Sequence, residues 1–160
     1  MNGKKRSNIL LSLILLLSLL AGLTAGCSRG ERANAEHAFS MASLDQMPPE
    51  VQNAPATVRE AYQFAARNQD VLEHLPCYCG CGDMGHTSNY NCYVAGTGAD
   101  GMPLYDNHAL GCQICVDITH DAMHLLDEGK SVDEIYDYLD ATDSRFGPPT
   151  PLQPAVDGQQ

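Results

Sequence analysis

Between residues 57 and 146 the apolar positions fall into three helical registers, and a long stretch between the first two has no register at all. The first register runs from Thr57 to about Leu75. At about 100° per residue, Val58, Ala61, Tyr62, Phe64, Ala65, Val71, Leu72 and Leu75 share one half of the wheel. Arg59, Glu60, Gln63, Arg67, Asp70 and His74 take the other half. Thr57 has the chemistry of an N-cap, and Pro76 stops the helix. The second register, from about Cys112 to Glu128, carries Ile114, Ile118, Ala122, Met123, Leu125 and Leu126 and ends at Gly129, a typical C′ residue. The third opens on Ser131-Val132-Asp133-Glu134, a capping-box pattern, and presents Val132, Ile135, Tyr136 and Leu139 for packing. The expected fold is mainly α: a small domain of about three helices, with a long irregular cysteine-rich loop between the first and the second. No strand pair stands out.

The N-terminal pattern is different. Lys4, Lys5 and Arg6 precede an apolar run from Ile9 to Leu20, interrupted only by Ser12 and Ser18, and Leu23-Thr24-Ala25-Gly26 leads to Cys27. A run this short falls below the roughly 20 apolar residues of a spanning helix, and it has the form of a signal h-region. Residues 1–26 therefore read as a lipoprotein signal peptide, with Cys27 as the lipidated (palmitate-type) first residue of the mature chain. An ordinary signal peptide that happens to contain a cysteine is the alternative. Either way the expected location is extracytoplasmic, and the first reading anchors the protein to the cell membrane through lipid.

Residues 27–56 are rich in Ala, Ser, Asn and Pro without an apolar period, and read as a flexible tether in which His37 is solvated. From Gly147 the chain continues Pro-Pro-Thr-Pro-Leu-Gln-Pro, so residues 147–160 read as a Pro-rich disordered tail. The folded domain is then 57–146.

Charge narrows the partners. With the three basic residues of the signal removed, 6 Lys+Arg stand against 20 Asp+Glu, a formal net charge of 6 − 20 = −14. Nucleic acid is excluded as a partner, because neutralising phosphates needs a basic surface. Anionic headgroups would repel the chain as well, which leaves the lipid on Cys27 as the contact with the membrane.

The candidate chemistry is concentrated in the irregular loop. Six cysteines, Cys77, Cys79, Cys81, Cys92, Cys112 and Cys115, lie there and in the first turn of the second helix, with His86 and His108 among them. Outside the cytoplasm an even number of cysteines suggests disulfides stapling a small core. Cysteines two apart, however, close strained rings, and a Cys-x-x-Cys at a helix start forms a reactive bridge or binds metal. Crowded thiolates beside imidazoles suit a soft metal, and eight donors are the number two tetrahedral sites use. Cys112 and Cys115 share the inward face of the second helix. His120 and His124 fall on its opposite arc with Gln113, Asp117, Asp121 and Glu128, and read as solvated; Met84 and Met102 read as packing or surface residues.

The string Pro76-Cys77-Tyr78-Cys79-Gly80-Cys81, followed by Gly85-His86, Cys92, His108 and Cys112-x-x-Cys115, resembles the PCYCGC-motif bacterial lipoproteins. That resemblance implies a lipoprotein with a Cys/His site and supplies no substrate. The turn Gly129-Lys130-Ser131-Val132-Asp133-Glu134-Ile135 is similar to one in haem-maturation thiol proteins, which keeps a thiol-disulfide role open. The reading favoured is a metal-binding lipoprotein and not an enzyme. All six thiols and both histidines are ligands, and the ion is copper(I) first and zinc next, held as cargo or as a structural site. A carrier would have a metal-delivery protein as partner. The alternatives are a thiol-disulfide redox protein and a disulfide-stapled interaction module.

Overall fold

The computed structural model describes residues 38–152, all of which belong to one compact unit. Residues 1–26, expected to be a signal peptide, Cys27 and His37 lie outside the described residues. The elements in chain order are α1 (Pro49–Gln52), α2 (Ala56–Ala65), α3 (Gln69–Leu72), β1 (Val94–Thr97), β2 (Pro103–Tyr105), α4 (His108–Gly111), α5 (Gln113–Asp127) and α6 (Val132–Asp143), with 3-10 turns at Leu44–Gln46, Cys81–Met84 and Tyr90–Cys92. The protein is mainly α, with α5 packed against both α2 and α6. Among the described residues no helix is long and apolar enough to cross a membrane.

The helix expected over 57–75 is broken in two. It starts one residue early, after Pro55, and α2 ends at Ala65. Asn68 leaves helical dihedrals (φ −128°, ψ 48°), and its buried amide donates to the carbonyls of Phe64 and Ser40, both at 2.7 Å. An asparagine side chain competes with the helical backbone for such partners, and here it wins because the carbonyl of Ser40 is brought to it from outside the helix. The α5–α6 junction follows local chemistry closely. Gly129 (φ +80°) donates to Leu126 O at 2.8 Å and Lys130 N to Leu125 O at 2.9 Å, a Schellman arrangement. Ser131 and Glu134 close the capping box at the start of α6.

The expected boundaries at both ends are corrected by packing. Within the segment read as tether, Ala42, Met47, Val51 and Ala54 are buried in the core. Ala42 and Gln63 exchange two hydrogen bonds, N–H to Gln63 O at 2.9 Å and Gln63 Nε2 to Ala42 O at 2.7 Å. The ring of Phe39 meets Phe64 edge-on at 4.9 Å. The apolar residues here lack a period because Pro48, Pro49 and Pro55 keep turning the chain, so each side chain enters the core from a different direction.

The start of the tail is also ordered. Thr150 is buried; its N–H donates to Cys77 O at 2.9 Å, and its Oγ1 accepts from Cys77 N–H at 3.0 Å. Between Pro148 and Pro151 only Thr150 has an N–H, and that group is spent on this bond. Gly147 passes so close that a Cβ there would lie 2.9 Å from Tyr78 O.

The loop also contains a strand pair that its sequence does not announce. β1 and β2 are antiparallel, with Val94 opposite Tyr105, Gly96 opposite Leu104 and Thr97 opposite Pro103, and an irregularity between Val94 and Gly96. Four residues with Ala-Gly at their centre carry no alternating pattern. The core face of α5 is likewise shifted: Cys115, Val116, Ile118, Thr119 and Ala122 are buried, while Ile114, Met123, Leu125 and Leu126 are only partly covered. Packing on two sides, by α2 and by α6, rotates the buried face away from the stripe that hydrophobicity alone picks out.

Candidate metal centre

Three separated segments bring their cysteines into the middle of this core. The first is 76–86. Pro76 ends the α3 region, the Thr150 pairing holds Cys77, and Gly80 adopts φ +84°, a left-handed conformation open to glycine, between Cys79 and Cys81. Cys81 then starts a 3-10 turn that Gly85 (φ +95°) closes, and His86 N–H donates back to Cys81 O at 3.3 Å. The second segment ends the 3-10 turn Tyr90–Cys92. It is pinned by the buried Asn89, whose N–H donates to Leu75 O at 2.8 Å. The third comprises α4, which starts at His108, and α5, for which Cys112 is the N-cap residue and Cys115 lies in the first turn.

The sulfurs are in contact. Cys77 Sγ lies 3.4 Å from both Cys79 Sγ and Cys115 Sγ; Cys79 and Cys115 are 3.6 Å apart, as are Cys81 and Cys92. His108 Nε2 is 3.4 Å from Cys79 Sγ. Two groups of four donors result, each with its ligand atoms within 4.8 Å of one another: Cys79, His108, Cys112 and Cys115, and Cys81, His86, Cys92 and His108. Cys77 adds two triads, one with Cys79 and Cys81 and one with Cys92 and Cys115. All eight residues singled out from the sequence are thus placed together. Cys77, Cys81, Cys92 and Cys115 are buried, and Cys79 and Cys112 are partly exposed.

Supporting polar contacts come from residues the sequence did not flag. The carbonyl of Cys115 accepts from Tyr93 Oη at 2.8 Å and from Asn89 Nδ2 at 3.2 Å, and Thr119 Oγ1 donates to Asn89 Oδ1 at 2.8 Å. Asp106 Oδ1 accepts from His108 N–H at 2.7 Å, while its Oδ2 lies 3.8 Å from His86 Nε2. An aspartate two residues before a histidine at a helix start is a capping signal, and Asp106 was legible in that sense alone. His86 Nδ1 is buried without a hydrogen-bond partner, and the two imidazoles meet edge-on at 5.1 Å.

The thiols do not share their protons evenly. Cys115 is pushed well up, by its hydrogen bonds with Cys112 and Cys77 first and by burial as well. The same bonds draw Cys77 and Cys112 down to about 7 each. Cys79 falls to about 5, through Cys92 first, with His108 adding to the effect against the opposing cost of burial. Burial works against a charged His108, yet the thiolates of Cys79, Cys112 and Cys81 together outweigh it and raise the imidazole. Several thiols therefore favour the thiolate form with little cationic charge nearby to balance them.

The donor set passes the test for a soft metal. All six described cysteines are free, and their sulfurs stand 3.4–3.6 Å apart among the closest pairs. A disulfide needs about 2.05 Å, whereas a tetrahedron with ~2.3 Å metal–sulfur bonds has edges of about 3.8 Å. A partnerless buried imidazole nitrogen completes the picture. Other histidines stay outside it: His74 Nδ1 is 2.8 Å from Asp70 O, His120 Nε2 is 2.9 Å from Thr57 O, and His124 pairs with Glu128 at 3.3 Å on the surface. Met84 and Met102 are exposed.

The family model described as "protein of unknown function with PCYCGC motif" matches residues 13–154. The chain belongs to the PCYCGC-motif family. Neither a curated protein nor a solved structure matches it. In this PCYCGC-motif protein the name-giving string supplies Cys77, Cys79 and Cys81, half of the thiols at the centre, and the other three come from Cys92, Cys112 and Cys115.

Proposed function

We propose that this protein is an extracytoplasmic lipoprotein, anchored to the cell membrane through lipid on Cys27, that binds a soft transition metal through its Cys/His cluster and is not an enzyme. Copper(I) is the first choice of ion and zinc the second. The observation that carries the metal reading is the convergence of six free thiols and two imidazoles, from three chain segments, with neighbouring sulfurs 3.4–3.6 Å apart. Dense thiolate donors favour Cu(I) and Zn over harder ions. The lipoprotein reading is supported by Lys4, Lys5 and Arg6, the apolar run Ile9–Leu20 and Gly26-Cys27.

Two features bear on carrier against structural site. Cys77, Cys81, Cys92 and Cys115 are part of the hydrophobic core, so a bound ion would stabilise the fold. Cys79, Cys112 and His108 are partly exposed, which leaves one side open to exchange with a metal-delivery partner. The test is native mass spectrometry of residues 28–160, exported into an oxidising compartment and purified without chelator. A mass increase matching an ion, less the displaced thiol protons, supports the reading and identifies the metal. Loss of two hydrogens per cysteine pair with no metal overturns it. A purely structural ion predicts unfolding on removal; a carried ion predicts a folded apo protein that reloads.

One observation favours a second reading. Cys112 is partly exposed at the N-terminus of α5, is drawn down to about 7 and lies three residues from Cys115. A thiolate so placed could attack a substrate disulfide and be resolved by Cys115, which oxidises the pair as the substrate is reduced. Turnover of a model disulfide by the metal-free protein, lost in Cys112→Ser, would establish it.

A further inference from the structure

We propose that the cluster holds two ions joined through the sulfur of Cys77. The inference rests on the metal reading above and adds the number of ions and the residue they share. Cys79, Cys112 and Cys115 gather on one side, and Cys81, Cys92 and His86 on the other. Cys77 belongs to neither group of four, yet it forms one triad with Cys79 and Cys81 and another with Cys92 and Cys115, so its sulfur reaches both sides. It touches Cys79 and Cys115 at 3.4 Å.

Each side has three donors of its own, one short of the four that a tetrahedral d10 ion takes. A single shared thiolate supplies the fourth to both. Cys77 is suited to this because a thiolate sulfur has more than one lone pair to give. His108 is also common to both groups, but a neutral imidazole has one free lone pair and serves one ion at a time. It is therefore an alternative ligand and not the bridge. Burial fits the assignment: Cys77 is fully enclosed, and its backbone is held on both polar atoms by Thr150, which fixes the point from which its sulfur reaches the cluster.

Cadmium is the probe, since it substitutes for zinc on thiolates and its NMR-active isotope reports a shared sulfur by scalar coupling between two ions. The full domain loaded with cadmium-113 is expected to take up two ions per chain and give two mutually coupled resonances. Cys112→Ser, which alters one side only, should keep the coupling while shifting one resonance. Cys77→Ser should lose it and drop toward one ion per chain. Failure of the reduced domain to bind either cadmium or copper(I) would overturn the metal reading itself. A single ion, two uncoupled ions, or coupling that survives Cys77→Ser would each overturn the shared sulfur while leaving metal binding intact. If Cys77→Ser fails to fold, the wild-type stoichiometry and coupling still decide the question.

Discussion

Thr150 and Cys77, distant in sequence, bond each other twice: the N–H of Cys77 donates to Thr150 Oγ1 at 3.0 Å, and the N–H of Thr150 donates to Cys77 O at 2.9 Å. Both residues are buried, so neither polar group has water as a substitute. Thr150→Ala leaves the Cys77 N–H unpaired and should cost about 1–3 kcal/mol. Thr150→Pro also removes the donor and should cost more. Urea unfolding of the apo protein checks both. Metal uptake should weaken in the same order, because the first cysteine of the cluster loses its backbone anchor.

Asn89 carries the middle of the loop. Its backbone N–H bonds Leu75 O, its Nδ2 bonds Cys115 O, and its Oδ1 accepts from Thr119, all with the residue fully enclosed. Asn89→Ala keeps the backbone bond to Leu75 but removes both side-chain bonds at an enclosed position, and is expected to destabilise by roughly 1–3 kcal/mol. Tyr93→Phe removes one donor to the Cys115 carbonyl and should cost about 1–2 kcal/mol. Thermal unfolding with and without metal separates the contribution to the fold from any to the site.

Exposure and thiolate character coincide at two of the six thiols. Cys79 and Cys112 are partly exposed and are drawn down to about 5 and about 7, whereas Cys92 and Cys115 are buried and pushed up. Iodoacetamide at neutral pH should label Cys79 and Cys112 of the apo protein first. Peptide mapping of the alkylated sites is the readout. Metal loading should suppress both labels.

Glu134 contributes a pH dependence remote from the cluster. Hydrogen bonds from the backbone and hydroxyl of Ser131, and then Lys130, hold its carboxyl below the usual range. A depressed carboxyl stabilises the fold above its unfolded-state pKa, and that contribution is lost as pH falls through the folded-state value. Glu134→Gln should therefore lower Tm at neutral pH, and the difference from wild type should close in acid. A Tm–pH series on both proteins tests this, and an unchanged gap in acid would contradict the capping role.

What was legible in the sequence was what depends on near neighbours. The Gly129–Glu134 stop and start, the helical stripes of α2 and α6, and the donor types at the cluster all follow from residues within a turn or two of one another. The break at Asn68 was not legible, because it depends on a carbonyl from Ser40. The ordering of residues 39–56 and of Thr150 depends on partners far along the chain, and proline-rich stretches carry no period to announce them. Spacing named eight donors and suggested two sites. It could not show that Cys77 and His108 each reach both groups, which is a three-dimensional fact.

The pairing of Thr150 with Cys77 also sets an order of events. A chain grows from its N-terminus, so Cys77 is made well before the threonine that satisfies its backbone. Every other cysteine of the cluster is complete before Thr150 exists. Without Thr150 the first ligand segment lacks both of these backbone hydrogen bonds. The Thr150 pairing is thus the closing contact of the first ligand segment, and a chain cut before Thr150 would keep all six thiols while lacking that fastening.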